Sequence, residues 1–147
     1  MGLIEFLKDV GKDLFGGGGK EAEQITKMLQ TDLPGKITGL NVAFSKGVVT
    51  LTGKCDSQAT KEKAILLAGN LKGVESVNGD GLEAPVEKKE ETEFYTIKRG
   101  DTLSLIAKRY YGNAMKYPVI FEANREVIKN PDLIYPGQVI RIPKLDK

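Results

Sequence analysis

The chain contains no histidine, a single cysteine, and no apolar run near the ~20 residues that span a bilayer. Each absence removes a class of function. Without histidine there is no Ser–His–Asp triad, no imidazole general base and none of the usual zinc sites. Cys55 has no partner for an internal disulfide, and without histidine it is a poor nucleophile; it reads as a small buried apolar residue. No Asp-x-Asp-x-Asp-Gly run occurs, and Asn78-Gly79-Asp80-Gly81 is too short for a calcium loop. Met1 to Asp9 lack a basic leader, and Glu5 and Asp9 interrupt any apolar stretch, so no signal peptide is read there. Phe6 stands where a myristoylated Gly2 would need Ser or Thr. The expectation is a monomeric cytoplasmic protein without enzymatic activity or stable membrane insertion.

A length of 147 residues holds one ordinary domain or two small ones, and the charge favours two. Residues 1–92 carry 12 Lys against 14 acidic residues, whereas residues 93–147 carry 10 Lys and Arg against 6. All the arginines (Arg99, Arg109, Arg125, Arg141) lie in the second part. The imbalance is too small to imply nucleic acid as a partner.

Residues 3–15 read as a short amphipathic helix, with Leu3, Phe6, Leu7, Val10 and Leu14 on one face. Gly16–Gly19 break it. This run followed by Lys20 fails as a phosphate loop, because Glu21 stands where Ser or Thr would hold magnesium. A second helix runs from Glu21 to Leu29 and ends at Pro34-Gly35. Leu40-Val42-Phe44 and Val49-Leu51 alternate with polar residues about a Ser45-Lys46-Gly47 turn, predicting a hairpin. Asp56 or Ser57 caps a helix whose inner face is Ala64, Leu67, Ala68 and Leu71, and Gly73 suits its left-handed end. Val74 to Val77 form a further strand. The charged stretch 83–93 reads as a linker.

After it, Phe94 to Gly100 reads as a strand. Asp101 or Thr102 caps a helix with Leu103, Ile106, Ala107 and Tyr110 inward. Pro118 opens another helix, with Ile120, Ala123, Asn124 and Val127 on one face. Tyr135-Pro136-Gly137 turns into a strand from Val139 to Ile142. Glu122 and Glu126 share a helical face at i, i+4 spacing but have Lys116, Arg125 and Lys129 nearby, the pattern of a solvated, salt-bridged face and not of a glycosidase pair.

Two groups of residues resemble known families. Phe94-Tyr95-Thr96-Ile97-Lys98-Arg99-Gly100-Asp101-Thr102-Leu103, with Asn130-Pro131-Asp132-Leu133-Ile134-Tyr135-Pro136-Gly137-Gln138-Val139-Ile140-Arg141-Ile142-Pro143, resembles a LysM domain. Leu51-Thr52-Gly53 and Gly73-Val74-Glu75-Ser76-Val77, in the order helix, two strands, helix, strand, resemble a BON domain. The whole arrangement is similar to the cytoplasmic BON–LysM potassium-binding proteins of Gram-negative bacteria. The resemblance implies an α+β chain: an N-terminal helix and glycine linker (1–19), a BON-like αββαβ domain (20–82), a linker (83–93) and a βααβ LysM domain (94–147). It also implies selective K+ binding, a change of shape on binding and a role under high internal potassium or osmotic stress.

The ligand type follows from physics. A weakly hydrated monovalent ion is held by neutral carbonyl oxygens, which helix ends leave unpaired and glycines let crowd together. The candidate donors are the backbone carbonyls of Leu7, Val10 and Asp13 in the first helix and of Gly73 and Glu75 after the BON helix. The alternative is a LysM groove for peptidoglycan or N-acetylglucosamine. Its candidate residues are Gly100, Asp101, Thr102, Leu103, Asn130, Pro131, Asp132, Leu133 and Ile134; the same groove is a candidate seat for a protein partner.

Overall fold

The computed structural model describes residues 3–6, 20–85 and 92–144. The elements in chain order are β1 (Leu3–Glu5), α1 (Glu21–Asp32), β2 (Ile37–Ser45), β3 (Val48–Cys55), α2 (Gln58–Gly69), β4 (Ser76–Glu83), β5 (Thr92–Thr96), α3 (Leu103–Tyr111), a 3-10 turn (Ala114–Lys116), α4 (Tyr117–Ala123) and β6 (Val139–Pro143). The chain is α+β, as its sequence implies.

The first sheet has the order β1-β4-β3-β2. β2 and β3 form the expected hairpin. Lys46 (φ 50°) and Gly47 (φ 81°) supply the two positive φ angles of a tight turn whose twist matches its strands. β3 and β4 run parallel, so α2 is their crossover. α1 contributes Ile25 and Leu29 to the core, β3 contributes Val49 and Leu51, and β4 contributes Val77 and Leu82. Ser57 caps α2, its Oγ accepting from Thr60 N–H at 3.1 Å. Cys55 is buried in this core, as expected.

Three expectations about this first unit are corrected. Residues 3–5 are a strand, not the start of a helix: they pair antiparallel with β4, Leu3 opposite Asn78 and Glu5 opposite Ser76. β4 already has β3 on its other side, so an N-terminal strand closes an edge that would otherwise be bare, and this tertiary pairing overrides the helical spacing. Residues 7–15 of the expected helix lie outside the described residues. Second, β4 continues through Asn78-Gly79-Asp80-Gly81 to Glu83 instead of stopping at Val77. Those glycines mark close approach. A Cβ on Gly79 would stand 2.5 Å from Ile65 Cδ1, and one on Gly81 2.5 Å from Thr52 Cγ2. Third, α2 ends at Gly69 with Asn70 as its cap, so Gly73 (φ 98°) shapes the following loop, not the helix end.

In the second unit β5 and β6 pair antiparallel, Tyr95 opposite Ile140. Thr92 and Glu93, read as linker, open β5. Thr102 caps α3, Gly112 (φ 72°) ends it and Pro118 sits in the first turn of α4. Leu103, Ile106, Ala107, Ile120, Ile128, Ile140 and Ile142 form the core. Tyr110 is exposed, not inward, and meets the Tyr95 ring edge-on at 5.9 Å. α4 stops at Ala123, so Asn124 and Val127 are not on its face: Asn124 is a fully buried polar group in the turn beyond.

The two units touch. Residues of β6 alternate with the period of a strand: Ile140 and Ile142 face the second core, whereas Val139 joins the first core and Arg141 reaches α2. α2 therefore lies between the first sheet and β6. That explains why Thr60 and Glu62, polar residues near its start, are buried.

Candidate functional site

Three regions carry polar chemistry. The first is the loop between α2 and β4. Phe6 N–H donates to Glu75 O at 2.8 Å, and Glu75 N–H and Ser76 N–H donate to Gly47 O at 2.7 and 3.3 Å. The N-terminal strand, the hairpin turn and the α2–β4 loop thus meet at Glu75. Gly47 suits glycine through its φ of 81°, while a Cβ there would meet only the movable Glu75 carboxylate, at 2.9 Å. Gly73 and Glu75, expected as carbonyl donors, lie together in this loop; Leu7, Val10 and Asp13 lie outside the described residues. A carbonyl oxygen has two lone pairs, so Glu75 O retains acceptor capacity beside its bond from Phe6. Among the described residues no group of three or more acidic, Cys or His side chains could hold a metal ion. What this loop offers a cation is backbone oxygen and the single carboxylate of Glu75.

The second region is the groove between the N-terminus of α3 and the loop before β6. A cavity of about 400 Å³ is lined by Asp101, Thr102, Leu103, Ser104, Tyr117, Pro131, Asp132 and Ile134. Of the expected groove residues, Gly100, Asn130 and Leu133 are not among its lining. Leu133 is exposed and lines a different cleft between the two units. Ser104 and Tyr117 were not expected. Tyr117 stands directly before Pro118 at a helix start, which is the only sequence signal for it.

Several groove residues are already engaged. Thr102 Oγ1 accepts from Leu105 N–H at 3.1 Å. Asp101 accepts from Tyr95 Oη–H and from Lys98 N–H, and faces Arg109 at 3.5 Å. Burial works to raise the Asp101 carboxyl, but the bonds from Tyr95 and Lys98 and the Arg109 charge outweigh it, and its pKa falls below the ordinary carboxylate value. Asn130 Oδ1 accepts from Asp132 N–H at 2.9 Å. These side chains shape the groove's two rims before they touch any ligand.

The third region is the junction of the units, which sequence reasoning missed. Asn70 Nδ2 donates to Val139 O, and Val139 N–H donates to Asn70 Oδ1, both at 2.8 Å. Arg141 Nε donates to Glu62 Oε1 at 2.8 Å, and Arg141 Nη1 donates to Ala123 O at 2.7 Å. Lys63 pairs with Glu126 at 2.8 Å and Lys129 with Asp32 at 3.2 Å. Glu122 pairs instead with Arg125 at 3.1 Å, so the two carboxylates once read as one helical face serve different contacts. One clue was present in the sequence: Arg141 interrupts an otherwise apolar strand.

Comparison with known proteins agrees with both resemblances. The LysM domain family matches residues 95–143 and the BON domain family residues 21–83. The potassium binding protein Kbp of Escherichia coli O6:H1 is 41% identical over 152 aligned positions, covering 98% of this chain and 99% of that protein. An uncharacterized protein of Deinococcus radiodurans is 42% identical over 113 positions, 71% of this chain and 44% of its own length. An esterase of Mycobacterium tuberculosis shares 48% identity over 48 positions, 33% of this chain but only 10% of the esterase.

Proposed function

Because the chain belongs to the BON–LysM family that includes Kbp, we propose that it is a binding protein, not an enzyme, and that its ligand is the potassium ion. The observation that carries this reading is end-to-end similarity to a protein named for potassium binding, joined to a loop that presents backbone oxygen and no carboxylate cluster. In this reading the ion sits where the N-terminal segment meets the α2–β4 loop. Carbonyls of Gly73 and Glu75 supply one side, and those of Leu7, Val10 and Asp13 the other. A neutral cage of fitting size prefers a larger monovalent ion, whereas clustered carboxylates favour divalent ones. Binding would pin the N-terminal segment onto the BON domain, and this change of shape is the signal by which a monomeric cytoplasmic protein reports internal potassium or osmotic stress. Calorimetric titration with KCl against NaCl and MgCl2 at fixed ionic strength tests the proposal. Saturable heat with potassium alone supports it; equal response to all three salts, or to none, removes it.

A second reading rests on the groove of about 400 Å³ at the N-terminus of α3. Its size and position suit an N-acetylated sugar or a protein segment. Chemical-shift mapping with soluble peptidoglycan fragments separates this from the first reading, because the perturbed amides would be those of Thr102, Leu103 and Ile134 and not those of Gly73 and Glu75.

A further inference from the structure

The end of α2 carries two attachments on consecutive residues. On Gly69 lies the Phe6 ring: a Cβ there would stand 2.0 Å from Phe6 Cζ, so the ring sits directly on the helix backbone. Phe6 is almost fully buried, and its N–H is bonded to Glu75 O. On the next residue, Asn70, hangs the LysM unit. The Asn70 amide bonds both backbone groups of Val139, as a neighbouring strand would, and Tyr135 Oη–H leans toward Asn70 O at 3.4 Å. Asn70 N–H in turn closes the last turn of α2 on Leu66 O at 2.9 Å.

We propose that the C-terminal end of α2 is a coupling joint, in which seating of the N-terminal strand through Phe6 on Gly69 sets Asn70 for docking of the LysM unit on Val139. A two-point amide clamp needs its Cα and its χ angles fixed together, since both bonds are lost if the cap residue turns. Helix ends fray when nothing covers them. The Phe6 ring lies on Gly69, in the last turn, one residue before the Asn70 N–H that bonds Leu66 O. Without the ring, the turn that carries Asn70 opens more often, and the clamp opens with it. Linkage makes the effect reciprocal: a docked LysM unit holds the last turn closed and so favours the seated strand.

The inference goes beyond the potassium reading and does not require it. Any ligand that orders the N-terminal strand would tighten LysM docking by the same path. If potassium is that ligand, the orientation of the LysM groove becomes the readout of the ion.

The test uses the full chain and amide hydrogen exchange, with each substitution read at the far side of the joint. Phe6→Ala is expected to speed exchange at Val139 N–H about fivefold or more, the lower end of ordinary coupling. Asn70→Ala is expected to do the same at Phe6 N–H. Ile106 N–H, bonded to Thr102 O within α3, reports the LysM core and should stay unchanged in both. If Phe6→Ala melts the first domain, Phe6→Leu decides, with a smaller rise at Val139 expected. Val139 exchange unaltered by loss of Phe6, or Phe6 exchange unaltered by loss of Asn70, overturns the joint. Running the series in KCl and in NaCl keeps the two readings apart. Cross-effects equal in both salts support the joint and count against the ion site, whereas cross-effects absent in both defeat the joint whatever the salts do.

Discussion

Glu62 and Arg141 form an ion pair of 2.8 Å between two parts of the chain, with 6% and 4% of their side chains exposed. Both charges have left water, and each needs the other. Gln58 Nε2 reaches the second Glu62 oxygen at 3.4 Å, and Arg141 Nη1 takes the Ala123 carbonyl. Asn124 completes the arrangement from below: its Oδ1 accepts from Arg141 N–H at 2.8 Å, and its Nδ2 donates to Arg141 O and to Ile120 O, both at 2.7 Å. The end of α4 and the middle of β6 are therefore tied to α2 through one guanidinium.

Removing either charge alone leaves the other buried and unpaired. Glu62→Leu or Arg141→Met is expected to cost about 3–5 kcal/mol, whereas the double variant should recover most of the loss, because paired burial is close to break-even against apolar packing. Urea unfolding of the four proteins checks this. Single variants within about 0.5 kcal/mol of the parent, the range of ordinary surface changes, would mean that water reaches the pair.

Gly79 is a packing requirement inside a strand. Gly79→Ala would drive a methyl group against Ile65 Cδ1 at 2.5 Å, so overpacking of about 1–3 kcal/mol is expected. The pair Gly79→Ala with Ile65→Val should regain part of it by freeing the space. If Gly79→Ala proves neutral in thermal unfolding, β4 does not lie this close to α2.

Burial pushes the Cys55 thiol up to about 11; Asp56 adds to this, while Lys61 works against it. A thiol whose folded pKa is raised contributes stability that is full below its unfolded pKa of about 8.5 and is lost as pH rises through 11. Alkylation of native protein at pH 8 should therefore be far slower than in urea. Stability should fall between pH 9 and 11 more steeply for the parent than for Cys55→Ala. Rapid native alkylation would show that the hairpin end opens readily.

Much of this fold was legible in the sequence because local signals and tertiary demands agreed. Ser45-Lys46-Gly47, Ser57, Thr102 and Pro118 act where their chemistry placed them. Legibility failed where distant chain segments decided the outcome. Leu3–Glu5 have helical spacing but complete a sheet whose other strands come much later. Asn78 to Gly81 lie beyond the strand read at Val74 to Val77, yet β4 runs through them because their glycines admit Ile65 and Thr52. Tyr110 fits the inward face of α3 by spacing but stacks outward on Tyr95. The junction was least visible of all. Glu62 and Asn70 read as ordinary polar helix residues until β6 is laid beside them, and only Arg141, a charge amid Val139, Ile140 and Ile142, hinted at a buried partner. For the proposed ion site, the sequence suggests only a ligand type, by elementary solvation; Gly73 and Glu75 are near neighbours in sequence, and what the fold adds is the bond from Phe6 N–H to Glu75 O.

Loss of the N-terminal segment gives the sharpest trial of that site. Deleting residues 1–15 removes β1, the Phe6 bond to Glu75 O and every carbonyl proposed from the N-terminal side of the cage. Potassium binding should disappear, while Ile106 and Ile140 amides, which belong to the second core, keep their protection. The deletion also bares the edge of β4, so loss of binding alone does not separate a missing ligand from a loosened sheet. Glu75→Gln supplies the separation. It keeps the backbone carbonyl and the bond from Phe6 while removing the only side-chain charge in the loop after Lys72. With carbonyl ligands its potassium affinity should stay within about threefold of the parent, less than the 1.4 kcal/mol that a tenfold change represents. A collapse of binding in Glu75→Gln would make the carboxylate itself the ligand, and unchanged affinity in the deletion would move the ion away from the N-terminal strand altogether.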